Sequence, residues 1–303
     1  MPIHQLQFLG DYTLFDNIKT GSCWVALFFI WSGYGAIYSY NKKSNYLNDF
    51  LYSRGVKILT PFFVVHIIYF IVKSLLGEHF LAIDVLQGLI GGLTIVEFSW
   101  YPIAALAMYV LFYISWKLPI SDKIKPVVLF ALVIILMVFE YYVAGMHCDW
   151  WLISNLTFPL GVILFYIKDK LNECKIISIL VGMIGCIFGM TILSLSNRIF
   201  RNVPDAIYII GTNPQTTFLA IAMIFSISVF SELGNSKIIK LLNKISYEMY
   251  LCHGLLIFVF TKFISNGYLV MAFVLLSTSF FAYVVNIIDD VIIKKSLNIK
   301  LKG

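Results

Sequence analysis

The chain carries five histidines, His4, His66, His79, His147 and His253, and histidine is the side chain that titrates nearest neutral pH. A neutral imidazole can take the proton of a hydroxyl as that hydroxyl attacks an acyl group. None of the five forms an HExxH or similar ligand pair. His147-Cys148-Asp149 precedes Trp150-Trp151 in a short loop. Neighbouring side chains rarely converge on one ion, so a solvated loop is expected there and no metal site. Arg54 and Lys57 suggest a different chemistry. Three positions apart, they share one face of a helix, and Pro61 follows at the entry to an apolar run. Two such cations can reach lipid phosphates by snorkelling or hold a phosphorylated cytosolic donor. Their residue types alone favour lipid.

These groups must be positioned by membrane helices. The chain of 303 residues is 60% hydrophobic and 13% charged, with a mean hydropathy of +0.88. Soluble domains are about 45–50% apolar and about 25% charged, and a soluble fold of this size could not hide so much apolar surface. Phe, Tyr and Trp make up 17%, which suits lipid-facing helices anchored at the interfaces. Apolar stretches near the ~20 residues needed to cross ~30 Å of hydrocarbon recur at 22–40, 57–76, 98–117, 125–144, 151–167, 175–196, 205–230, 246–264 and 268–293. The run 151–167 is short and broken by Pro159. Residues 80–96 read as an interfacial or re-entrant segment or as another crossing. The expected fold is all-α, a polytopic membrane helix bundle with nine crossings in a single domain over residues 1–303. The five cysteines are scattered without a CxxC pair and read as small apolar helix residues.

Charge sets the expected orientation. Most of the 22 basic residues fall in one set of connections: Lys42, Lys43, Arg54 and Lys57; Lys117, Lys123 and Lys125; Lys168, Lys170 and Lys175; Lys237, Lys240 and Lys244; and Lys294, Lys295, Lys300 and Lys302. The alternate connections hold Lys19, Lys73, Arg198, Arg201 and Lys262. Basic residues gather in cytoplasmic loops, so the first set is placed inside, provided 80–96 makes no net crossing. The net charge of +6 is therefore a topology signal, and membrane lipid rather than nucleic acid is the expected partner. Nine crossings with an inside C-terminus put the N-terminus outside, yet residues 1–20 show no signal peptide. An additional preceding helix would resolve this. The expectation is that MPIHQLQFLG is the outer end of that helix, in a protein of ten.

The segment LFFIWSGYGAIYSY (27–40) is a packing face by its residue types: Gly33 and Gly35 allow close approach, and Ser32 can bond the backbone one turn back. The run LFFIWSGYG, a basic loop and then SRGVKILTPFF together resemble the acyltransferase 3 family of membrane O-acyltransferases. The likeness continues at WYPIAALAMYVLFY (100–113), WWLISNLTFPLGVILFY (150–166) and LLNKISYEMYLCHGLLI (241–257). Each motif alone is weak; their order and spacing over residues 4–257 carry the resemblance.

That resemblance implies transfer of an acyl group, typically acetyl, from cytosolic acyl-CoA to a hydroxyl on a sugar or polysaccharide beyond the membrane. It implies a bacterial plasma membrane, and acyl-CoA as a donor substrate rather than a resident cofactor. His4 stands where the family has its catalytic histidine; the arginine about eleven positions earlier would fall before residue 1. The family's R-x-x-R pair maps onto Arg54 and Lys57 as the donor-binding cations. A lysine in second place keeps the charge and loses the bidentate fork. Ser32, Trp100, Tyr250 and His253 are candidates to line the path where donor and acceptor meet, joined by His66, Glu97, Glu140 and Glu248, since buried ionisable groups are costly without a role. Two other readings fit the same residues: a transporter or flippase of a lipid-linked sugar or acyl group, and an inactive relative that senses or scaffolds.

Overall fold

The computed structural model describes residues 21–90, 94–97, 99–143, 154–173 and 236–300, with positions 152, 180 and 184. Among them are nine α-helices and no strand: α1 (Gly21–Lys42), α2 (Phe50–Leu75), α3 (Ala82–Leu89), α4 (Trp100–Lys117), α5 (Lys125–Tyr142), α6 (Thr157–Glu173), α7 (Lys237–Lys244), α8 (Ser246–Phe263) and α9 (Gly267–Lys300). Three are long and apolar enough to cross a membrane by length and composition: α2, α5 and α9 as far as Asn298. The expected crossings 175–196 and 205–230 lie almost wholly outside the described residues, as do His4 and the 147–149 loop.

Among the described residues of the ambiguous segment 80–96, helix is confined to the eight residues of α3, about 12 Å at 1.5 Å per residue. That is less than half the hydrocarbon thickness, so α3 does not cross. Two other boundaries differ from the apolar pattern. Helix α2 begins at Phe50, taking in the charged stretch before the apolar run, because nothing between Phe50 and Pro61 breaks a helix. Helix α6 begins at Thr157, after a turn in which the Thr157 hydroxyl donates to the Ser154 carbonyl at 2.5 Å. Pro159 then falls in its first turn, where the missing N–H costs nothing.

The described helices form two compact units. One holds α2, α3, α4 as far as Leu106, α7, α8 and α9; the other holds α1, α4 from Ala107, α5 and α6. In the first unit α9 packs along α8 and α2. Its outward face is a stripe of exposed apolar side chains, Leu269, Phe273, Leu276, Phe280, Val284, Ile287 and Val291, with Leu276 76% exposed. The three- and four-residue spacing keeps them on one face. Its buried face includes Thr278, Asn286 and Asp289. Apolar outside and polar inside reverses the soluble pattern and matches a helix whose outer solvent is lipid.

In the second unit α1 packs along α6 at glycine contacts. A Cβ at Gly33 would overlap the Phe158 carbonyl, and one at Gly161 would overlap the backbone of Ile30. Backbones this close explain the small residues of SGYG and PLG. Gly161→Val should therefore force the helices apart and destabilise the protein by about 1–3 kcal/mol or more. Gly35→Ala, whose Cβ meets nothing within 4 Å, should unfold at close to the parent temperature. Thermal unfolding in detergent checks both.

Candidate active site

Arg54 and Lys57 stand on the first two turns of α2, on one face as their spacing requires. Arg54 is half-buried and Lys57 exposed. The guanidinium lies 5.8 Å from the centre of the Phe50 ring, a planar cation against an aromatic face.

Helix α8 is stitched to α2 at two levels. The Tyr247 hydroxyl donates to the Ile58 carbonyl at 3.0 Å, directly beside Lys57. Further along, the buried Tyr69 hydroxyl donates to the Leu251 carbonyl at 3.0 Å. Between these bonds α4 brings in its first turn. Tyr101 meets the Tyr250 ring edge-on at 5.2 Å and the Tyr247 ring at 6.2 Å. Trp100 stands perpendicular to Tyr101 at 6.3 Å. His253, one turn beyond Tyr250, faces that ring at 5.8 Å. Trp100, Tyr101, Tyr250 and His253 are all buried. Three phenols and an imidazole thus share one buried neighbourhood of hydrogen-bonding groups in an apolar surround.

His66 lies three turns beyond Arg54 on α2, about 18 Å along the axis. It is buried, with its ring edge-on to Phe62 at 5.8 Å. Gly88 of α3 leaves the room that the ring occupies. Neither ring nitrogen has a hydrogen-bond partner among the described residues. At the far end of α2, buried Lys73 bonds Glu97 at 2.6 Å and the Ile95 carbonyl at 2.9 Å, with the Phe258 ring 4.9 Å from its ammonium. Lys262 of α8 bonds the Leu76 carbonyl at 3.1 Å and Glu78 at 3.2 Å. The two lysines fasten residues 76–97 to this end of the unit.

Of the residues nominated from sequence, Arg54, Lys57, Trp100, Tyr250 and His253 belong to this unit, with His66, Glu97 and Glu248. Ser32 belongs to the other, half-buried on α1 next to the Gly33 contact. Glu140 is also there, buried and accepting from Asn155 Nδ2 at 3.2 Å. Sequence reasoning did not single out Tyr101, Tyr247 or Asp289. The first two were within reach, since both stand inside the quoted motifs WYPIAAL and ISYEMYL.

A family model described as an acyltransferase domain, that of the acyltransferase 3 family, matches residues 2–288. The chain belongs to the acyltransferase 3 family. No curated protein and no solved structure matches it. As a member of that family it is a membrane-type acyltransferase, and its exposed apolar helix faces agree with a place in a bilayer. The matched range includes His4, Arg54, Lys57 and the buried aromatic neighbourhood around His253. In this acyltransferase the cationic face of α2 and the Tyr101–Tyr250–His253 group both lie within the matched range.

Proposed function

We propose that this acyltransferase takes an acyl group, acetyl in the simplest case, from cytosolic acyl-CoA and places it on a hydroxyl of a cell-envelope sugar or polysaccharide. Arg54 and Lys57 bind the phosphates of the donor, Arg54 through its planar fork and Lys57 as a point charge. His4 removes the hydroxyl proton as the oxygen attacks the thioester carbonyl. The C–S bond breaks, the new C–O ester forms, and the proton passes to the departing CoA thiolate. The lysine-rich connections face the cytosol of a bacterium, and the bilayer lies between donor and acceptor.

The observation that carries this reading is the course of α2. It begins with the cationic face of Arg54 and Lys57 and runs past the hydrogen-bonding group of Tyr101, Tyr247, Tyr250 and His253 on its packed neighbours. A donor held by its phosphates at the start of α2 would have its acyl end directed towards buried polar groups rather than lipid. Trp100, Tyr250 and His253 then line the path along which acyl group and hydroxyl approach. The O-acyl content of envelope glycans tests the function, compared between cells that make this protein and cells from which its gene is deleted. Loss of a defined sugar ester on deletion, restored by the intact gene, is expected; unchanged esters would contradict the assignment.

A further inference from the structure

The inner face of α9 contains a second polar site, which the proposed acyl transfer does not use. Asn286 and Asp289, three residues apart, share one face of the helix; Asn286 meets Glu248 of α8, and Asp289 lies within electrostatic reach of that carboxyl. Asn286 Nδ2 donates to Glu248 Oε1 at 2.8 Å, and the Oδ1 of the same amide is buried. Four buried oxygens here accept no hydrogen bond from the described residues: Asn286 Oδ1, Glu248 Oε2, and Oδ1 and Oδ2 of Asp289. Asp289 is 0% exposed. The ammonium nearby on α7, Lys244, is bound to the partly exposed Asp290 at 2.6 Å. Tyr247, next to Glu248 on α8, gives its hydroxyl hydrogen to Ile58.

A buried carboxylate without a compensating charge is strongly unfavourable. Two carboxyls beside an amide oxygen make a set of hard oxygen donors, doubly negative once a bound cation holds both ionised. Such a set suits Mg²⁺ or Ca²⁺, which take oxygen ligands, rather than the softer metals that select nitrogen and sulfur. Among the described residues no three His, Cys, Asp or Glu side chains are grouped to hold a metal; here the third protein donor is the amide of Asn286. We propose that Glu248, Asn286 and Asp289 form a divalent-cation site of the Mg²⁺ or Ca²⁺ class, which clamps α8 to α9.

The test uses the full chain in lipid nanodiscs, freed of metal with EDTA and unfolded thermally with Mg²⁺ or Ca²⁺ added back. A ligand at a hundred times its dissociation constant should raise the midpoint by about 5–10 °C. Asp289→Asn and Glu248→Gln should each abolish or blunt that rise, whereas Asp290→Asn should keep it. Binding of Mn²⁺ to the parent protein, followed by electron paramagnetic resonance, should show one buried ion per chain, and this readout stands even if a variant fails to fold. The proposal is overturned if neither cation raises the midpoint, or if the rise is undiminished in both carboxylate variants. It is equally overturned if only acidification stabilises the protein, since protons would then be what neutralises the carboxyls.

Discussion

Replacing His4 by alanine, in the protein expressed from its own gene, should lower the turnover of acyl transfer by about 10²–10⁴-fold, the usual contribution of a positioned general base. A sugar hydroxyl is a poor nucleophile until its proton leaves, and the proposed mechanism gives that proton to His4, which lies within the matched range. The loss should fall on kcat, with acyl-CoA binding little changed, because the imidazole meets the hydroxyl and not the donor's phosphates. Insertion and folding, followed by thermal unfolding, should match the parent. Acylation at the parental rate in a folded His4→Ala protein would remove His4 from the mechanism and leave His253 or His66, the two histidines buried among the described residues, as the base.

The second large effect is expected at the start of α2. Arg54→Ala should raise the KM for acyl-CoA by about 10–100-fold, the range of a lost charge-assisted hydrogen bond or two. It should leave kcat at saturating donor nearly intact, since uniform binding energy is what is removed. Lys57→Ala should cost less, because an exposed ammonium in water holds a phosphate more weakly than a half-buried guanidinium. Lys57→Arg is the informative gain: restoring the planar fork should lower the KM below the parent value. A lipid-anchoring role for the pair predicts a different outcome. Each alanine variant would then keep its KM for acyl-CoA and lose membrane retention or stability instead.

Four of the helices were legible in the sequence because each coincides with a long apolar run. The ends of α1, α4, α5 and α8 fall within a few residues of the runs at 22–40, 98–117, 125–144 and 246–264. Where a run and a helix are different things, the reading slipped. Helix α2 starts one and a half turns or more before its apolar stretch because Ser53, Arg54, Gly55 and Lys57 are compatible with a helix while contributing nothing to hydropathy. Residues 80–96 are apolar enough to suggest a crossing, yet among the described ones helix is confined to Ala82–Leu89. The Leu81 N–H bonds Asp84, and Thr94 bonds back to the Asp84 carbonyl at 2.5 Å, folding the segment onto itself.

The site was legible where a motif marks it and hidden where only tertiary contact makes it. Arg54 and Lys57 could be paired from their spacing on one helix. Tyr101 and Tyr250 are separated by most of the chain, and nothing in either local pattern says that their rings meet. Asp289 and Asp290 are adjacent and chemically alike, and both read as charges at the end of a span. A turn of 100° separates their fates: Asp290 bonds Lys244 at the surface, and Asp289 is wholly buried.

In the proposed reaction the acyl group crosses from a donor on the Arg54 and Lys57 side to a hydroxyl on the other. Proteoliposomes of known orientation, mapped by labelling cysteines placed at Lys43 and Lys240, test it with radiolabelled acetyl-CoA confined to one face and an acceptor glycan to the other. The account predicts labelled ester on the glycan only when acetyl-CoA is on the face of those lysines. Ester formed when both substrates share one face, or formed only from the opposite face, would contradict it.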